Sequence, residues 1–416
     1  MNLQHPVIAT MGVFGASVDL IRNSQRDWLM LRLKLAVLAS LTALLPGNAT
    51  ADSAAAVQAL RESVDSRSES GWFSGVAAAA VDGVGVLSEA RGIADQARDI
   101  PMALETPVNI GSTSKLFVSV AIAQLKLAGK LKYEDSVAIH LPEFSSRFSA
   151  QLTIAHLLSH TSGLSDFLQP QFLPQLAPAT NNSDVYKFVV GLEPLEEPGG
   201  RMRYTNANFV VLGELIERLT NTSFEQHIED AILKPAGMQS TRFIHGGDRD
   251  AGPIAINYMD VPAERAFAMM TDREAQQEFA SRSEANHKMD EFVHEAPLFG
   301  DGMVANGSGG MYATAADLLR FTAALRNETL LPWEELLALC KPKSPARRSG
   351  RAYGLGCESR YAGTAKESIG HGGSSFGMQA YMVMYPESGL DVVILSNHDR
   401  QADPLIDSVG DAMSED

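Results

Sequence analysis

Gly111-Ser112-Thr113-Ser114-Lys115 stands between a strand-like run, Thr106 to Ile110, and an apolar stretch of helical length, Leu116 to Leu127. Gly111 presents Ser112 at the helix start, and Lys115 follows one turn later on the same face. A hydroxyl and an amine therefore meet. Neither is reactive alone: serine is un-ionised near neutrality, and lysine holds its proton with an unperturbed pKa of ~10.4. In a dry cleft the amine can lose its charge and accept the hydroxyl proton, while the helix dipole favours the anion that forms. S-x-x-K arises about once by chance in a chain of this length, so the pair gains meaning from the rest of the sequence.

Two further sites follow in chain order. Tyr204-Thr205-Asn206 comes after the turn Glu197-Pro198-Gly199-Gly200, and His371-Gly372-Gly373 opens a late strand-like segment running through Met378. The set resembles the serine β-lactamase and penicillin-binding-protein superfamily, whose S-x-x-K, Y-x-N and K/H-T-G elements line one cleft. The surrounding sequence is similar too. His156-Leu157-Leu158-Ser159-His160-Thr161-Ser162-Gly163-Leu164, Lys234-Pro235-Ala236-Gly237-Met238, Gly309-Gly310-Met311-Tyr312 and Tyr353-Gly354-Leu355-Gly356 look like landmarks of one branch of it. That branch holds class C β-lactamases, D-alanyl-D-alanine carboxypeptidases and related esterases, and the likeness runs from about Gly71 to Asn397.

The resemblance implies an α/β (α+β) fold of the β-lactamase/transpeptidase type, an antiparallel sheet flanked by helices with an inserted, mostly helical lobe. Residues 52–416 form the expected catalytic domain, with a sheet lobe at about 52–128 and 300–416 and a helical lobe at about 129–299. Strand signals at both ends agree: Phe73 to Val81 and Val84 to Ala90 predict a hairpin turning at Asp82-Gly83, and Tyr381 to Met384 with Asp391 to Leu395 predict another. Helices are predicted between them, including Thr314 to Leu325, capped by Thr314 with Asp317 three residues on.

For chemistry, the resemblance implies Ser112 as the nucleophile of an acyl-enzyme and Lys115 as its proton acceptor, directly or in partnership with a Tyr204 phenol whose pKa nearby positive charge lowers. Which of the two is the base stays open. Asn206 orders Lys115 or binds the substrate carbonyl. The oxyanion hole is expected from the backbone N–H groups of Ser112 and Ser374, beside Gly372 and Gly373. His371 stands where many relatives have lysine, and an imidazole there titrates near neutrality. Gly372 stands where relatives that recognise a substrate carboxylate usually carry a Thr or Ser hydroxyl, so esters and amides without a carboxylate come forward. The expected function is an exported serine hydrolase of small esters, amides, β-lactams or D-amino-acid peptides, with esterase activity slightly favoured. An acyltransferase of the same fold, or a penicillin-binding sensor without turnover, is the alternative. No cofactor or metal is expected, and the partner is a small-molecule or peptide acyl substrate.

Composition agrees with an ordinary globular chain: 416 residues, 45% hydrophobic and 20% charged. A formal charge of −16 opposes nucleic-acid binding, which needs clustered Lys and Arg. At the N-terminus, Arg32 and Lys34 precede the apolar run Leu35 to Leu45, and Ala49-Thr50-Ala51 supplies small residues, the pattern of an export signal cut before Asp52. Such a run is too short to span a bilayer at ~20 residues, so periplasmic or secreted localisation without a stable anchor is expected, with Met30 a candidate start. Cleavage removes four basic and two acidic residues, taking −16 to −18.

Four features carry other expectations. Cys340 and Cys357, the only cysteines, are expected as two unpaired, mostly buried thiols. His156 and His160 lie four apart, but without an acidic neighbour they are read as structural. The charged segment Thr271 to Ala296 reads as an amphipathic helix or a flexible lid, with a solvated surface helix favoured. Gly373-Ser374-Ser375-Phe376-Gly377 formally matches a nucleophile elbow, with Asp391 and His398 as acid and base, yet too little chain follows it for an α/β-hydrolase sheet.

Overall fold

A computed structural model describes residues 51–144, 150–169, 171–245, 252–259, 294–296, 304–345 and 350–413. Helix α1, Ala51–Glu69, buries Ala54, Val57, Leu60 and Val64 at three- and four-residue spacing. Strands β1, Gly75–Val81, and β2, Val84–Arg91, form the hairpin predicted at Asp82-Gly83, and both turn residues have positive φ, 50° and 77°. A 3-10 turn, Gly111–Ser114, leads into α2, Lys115–Leu127. Helices α3 (Ile154–Leu158), α4 (Asn182–Val190), α5 (Ala207–Thr220), α6 (Ala315–Arg326) and α7 (Trp333–Cys340) follow. Last come β3 (Arg351–Tyr353), β4 (Glu358–Arg360), β5 (Ser368–Ser375), β6 (Met378–Met384), β7 (Leu390–Ser396) and helix α8 (Asp403–Ala412).

These seven strands form one antiparallel sheet in the order β3-β4-β5-β6-β7-β1-β2, so the first hairpin completes a sheet made mostly by the end of the chain. The strand period of two sorts side chains between two cores. Val76 and Ala78 of β1, Ala380 and Met382 of β6, and Val393 and Leu395 of β7 face a core shared with α2, α5 and α6. Ala77, Ala79, Tyr381, Val383, Val392 and Ile394 face the other way, under α1 and α8. Helix α2 is buried from Lys115 through Ala123, which is why its sequence is apolar all round. The Thr314 cap is present: its side chain accepts from Asp317 N–H.

Several expectations are corrected. The strand-like run Thr106 to Ile110 contributes only Val108–Asn109, paired with Tyr312 and Ala313 rather than with the main sheet; Pro107 has no N–H to extend it. Cys340 and Cys357 are bonded to each other, not free thiols, with Cα atoms 4.7 Å apart. Their closeness follows from the Gly354–Gly356 loop lying on the end of α7, where Leu355 N–H donates to Leu339 O at 2.7 Å and a Cβ on Gly354 would sit 2.1 Å from that carbonyl. Helix α3 ends before His160, which has φ +56°, so His156 and His160 do not share a helical face. Gly373 to Gly377 is the end of β5 and its turn into β6, with no helix after Ser375. Asp391 is buried in an ion pair with Arg326 (2.6 Å), and the His398 ring packs 5.7 Å from that of Tyr258, so the elbow interpretation has no triad. The segment 271–293 lies outside the described residues.

Candidate active site

Ser112 sits in the 3-10 turn entering α2, half-buried at the mouth of a cleft of about 910 Å³. Gly111 has φ +49°, a conformation costly for any side chain, and its N–H donates to Asn109 Oδ1 at 2.8 Å. Beyond Gly370, where its pairing with β4 ends, β5 crosses directly over this turn. A Cβ on Gly373 would lie 2.1 Å from Ile110 O and 2.9 Å from Ser112 N, so only glycine lets the two backbones meet.

Lys115 is fully buried, and its Nζ lies 2.8 Å from Ser112 Oγ, 2.9 Å from Asn206 Oδ1 and 2.9 Å from Ser308 O. Burial pulls its pKa down to about 7, against the opposing pull of the Asp166 and Glu358 carboxylates. A neutral amine has two hydrogens and one lone pair. The two carbonyl oxygens can only accept, so they take both hydrogens and the lone pair is left facing the Ser112 hydroxyl. Asn206 is oriented in turn by Asp166, whose carboxylate accepts from both its Nδ2 and its backbone N–H at 3.1 Å. Because a carboxylate cannot donate, the amide must turn its oxygen toward Lys115.

Tyr204 bonds to the Ser112 hydroxyl, and its ring lies 5.1 Å from Lys115 Nζ. Burial pushes its pKa up, not down, and Glu358 and Asp166 add to that. The expected lowering by positive charge is outweighed by that burial, beside a lysine that holds its own proton only up to about pH 7. The phenol thus stays protonated as a donor.

His371 is also corrected. It is buried, and desolvation lowers its pKa below the ordinary histidine value, so it is neutral near pH 7 instead of titrating there. Both ring nitrogens are engaged in a chain whose polarity is fixed at each end. Thr205 N–H donates to His160 Nδ1 (3.2 Å), leaving the His160 proton on Nε2, which donates to the Tyr353 hydroxyl (3.2 Å). Tyr353 donates to His371 Nε2 (2.9 Å), and His371 Nδ1–H donates to Gly372 O (2.6 Å). His371 therefore offers a substrate neither charge nor a free nitrogen; it holds the Gly372 carbonyl.

The structure thus brings Ser112, Lys115, Tyr204, Asn206, His371, Gly372, Gly373 and Ser374 to one cleft, all but Lys115 lining its wall. Asp166, Ser308, Tyr353 and Glu358 belong with them and were missed. Asp166 carries no spacing signal beyond lying three residues past Gly163, and Ser308 acts through its backbone, which no side-chain pattern reports.

The chain is similar in sequence and fold to known proteins. Penicillin-binding protein 4* of Bacillus subtilis (strain 168) is 26% identical over 335 residues, spanning 80% of this chain and 69% of that protein. Protein flp of Staphylococcus aureus (strain MW2) is 32% identical over 164 residues, a match spanning only 32% of flp. D-amino acid amidase from Ochrobactrum anthropi SV3 superposes with a TM-score of 0.67 at 23% identity, over 86% of this chain and 98% of that one. A penicillin binding protein from Bacillus halodurans gives a TM-score of 0.66 at 23% identity, over 84% and 98%. The beta-lactamase family model matches residues 57–409, the whole span from α1 to α8 that carries the serine, the lysine and the sheet above them, and the chain belongs to that family.

Proposed function

We propose that this chain is an exported serine hydrolase that forms an acyl-enzyme on Ser112 from small, uncharged esters or amides. The observation that carries it is the Lys115 amine, held by two carbonyls with its lone pair on the Ser112 hydroxyl. Lys115 takes the Ser112 proton as Oγ attacks the acyl carbon. The oxyanion is received by the Ser112 and Ser374 N–H groups, an arrangement worth ~2.7 to 4 kcal/mol per donor. The C–O or C–N bond then breaks, and the leaving group takes a proton relayed from Lys115 through the Tyr204 phenol. Water repeats the sequence in reverse and frees the acid. Uncharged substrates are favoured because the cations of the described lining are discharged or stand beside carboxylates: His371 is neutral, Arg351 is 3.9 Å from Glu358, and Arg201 shares Glu196 (3.0 Å) with Arg203 (3.4 Å). The Cys340–Cys357 bond suits an oxidising compartment, in keeping with the export signal. Among the described residues no helix is long and apolar enough to cross a membrane.

Ser112→Ala tests this. It is expected to fold normally yet lose turnover of p-nitrophenyl butyrate by at least ~10³-fold, together with the acyl adduct that intact-mass spectrometry detects on the wild type. Unchanged turnover in the variant rejects the assignment. A product shift on adding an alcohol or amine identifies a transferase instead, and one equivalent of product without steady turnover identifies a sensor.

A further inference from the structure

Resting on the acyl-transfer function above, we propose that Tyr381 sets the substrate class, by filling the subsite beside Gly372 so that a substrate carboxylate has no place or partner there. Gly372 and Tyr381 are directly paired across β5 and β6. A Cβ on Gly372 would lie 2.7 Å from Tyr381 Cε1 and 3.2 Å from Cδ1. The backbone itself does not demand glycine here, since Gly372 is not among the residues with positive φ. The ring of Tyr381 is the obstacle.

That ring cannot easily give way. It is only 4% exposed, the Arg351 and Arg360 guanidinium carbons lie 5.7 and 5.3 Å from its centroid, and its hydroxyl is held from two sides. Arg351 Nη2 donates to the hydroxyl at 2.9 Å, and the hydroxyl donates to Asp403 Oδ1. A phenol has one hydrogen, and Asp403 takes it. Tyr381 packs on the α1 and α8 side of the sheet yet lines the same cleft as Ser112, and so do Arg351 and Asp403. It therefore presents an aromatic wall with no free O–H, and the cation beside it, Arg351, is set against the Glu358 and Asp403 carboxylates, which offset its pull on an anion although its Nε has no hydrogen-bond partner among the described residues. The cleft thus rejects the charged competitor as well as accepting the neutral substrate.

The test compares kcat/KM for two matched esters, p-nitrophenyl butyrate and mono-p-nitrophenyl succinate, in the wild type, Tyr381→Phe, Tyr381→Ala and Tyr381→Val, with thermal melting as a control for folding. The wild type is expected to prefer the uncharged ester by at least about tenfold. Tyr381→Phe keeps the ring and the preference. In Tyr381→Ala the preference falls by at least about tenfold, because space opens and Arg351 loses its hydroxyl partner. Tyr381→Val, which also removes the ring and its hydroxyl but keeps a β-branched residue suited to a strand, moves the preference in the same direction and serves if Tyr381→Ala fails to fold. Equal use of both esters by the wild type overturns the proposal, as does an unchanged preference in a folded Tyr381→Ala or Tyr381→Val. If neither ester acylates Ser112 in the wild type, the hydrolase function fails and this proposal with it; acylation by both alike rejects this proposal alone.

Discussion

At the residue scale, the least visible member of the site has the clearest signature. Asp166 neither touches Ser112 nor lines the cleft, yet it turns the Asn206 amide and favours the charged form of Lys115. Lys115 must be neutral to accept a proton, so activity should rise with pH through about 7. Removing a carboxylate that stabilises the ammonium makes the amine easier to deprotonate. Asp166→Asn, which keeps an oxygen to accept from Asn206, should therefore move the acidic limb of the kcat/KM profile to lower pH, by on the order of 1 unit. A limb that stays in place or moves upward would show that Asp166 is not coupled to the base. Ser112, Lys115, Tyr204 and Asn206 were legible because each is a side chain in a motif. The loss of charge at Lys115 was legible too, but the states of His371 and Tyr204 were not, because burial sets them: the same cleft that lowers the Lys115 pKa also discharges His371 and keeps the Tyr204 phenol protonated.

At the element scale, hairpins and helices were readable wherever local chemistry decides them, as at Asp82-Gly83 and at the Thr314 cap. The contact between α7 and the loop before β4 was not, because it depends on two distant glycine-tolerant surfaces meeting, and the paired cysteines were hidden with it. That bond ties α7 to the β3–β4 pair, which carries Tyr353 and Glu358 into the cleft. Its ends are 17 residues apart, a loop for which chain-entropy arguments give about 3 kcal/mol. The double variant Cys340→Ser, Cys357→Ser should lose stability of about that size in urea unfolding. Its kcat should fall further than its KM rises, since Tyr353 orients the strand opposite Ser112 rather than binding substrate. An unchanged unfolding midpoint would mean that the bond constrains nothing the fold does not already hold.

At the scale of the whole molecule, the sheet closes only when β1 pairs with β7, which joins the two ends of the chain and seals Lys115 between α2, α5 and the strands. Burying that amine has a thermodynamic consequence that can be measured without any substrate. Its folded pKa is about 7, whereas an unfolded lysine titrates at ~10.4. Between those values the unfolded chain binds the extra proton, so this group's contribution to stability increases with pH across the window and is flat below it. The other buried groups do not mimic this. His160, His371 and His398 are neutral in the fold and shape stability below the ordinary histidine pKa, while tyrosines such as Tyr312 and Tyr381, pushed up to about 12, act only above pH ~10 by holding protons that the unfolded chain loses. Comparing wild type with Lys115→Met isolates the term from the general charge repulsion of an acidic chain. The difference in unfolding free energy should shift in favour of the wild type by about 1.4 kcal/mol per pH unit between 7 and 10. A difference independent of pH there would show that Lys115 keeps its proton in the folded protein, and a lysine that stays charged cannot take one from Ser112.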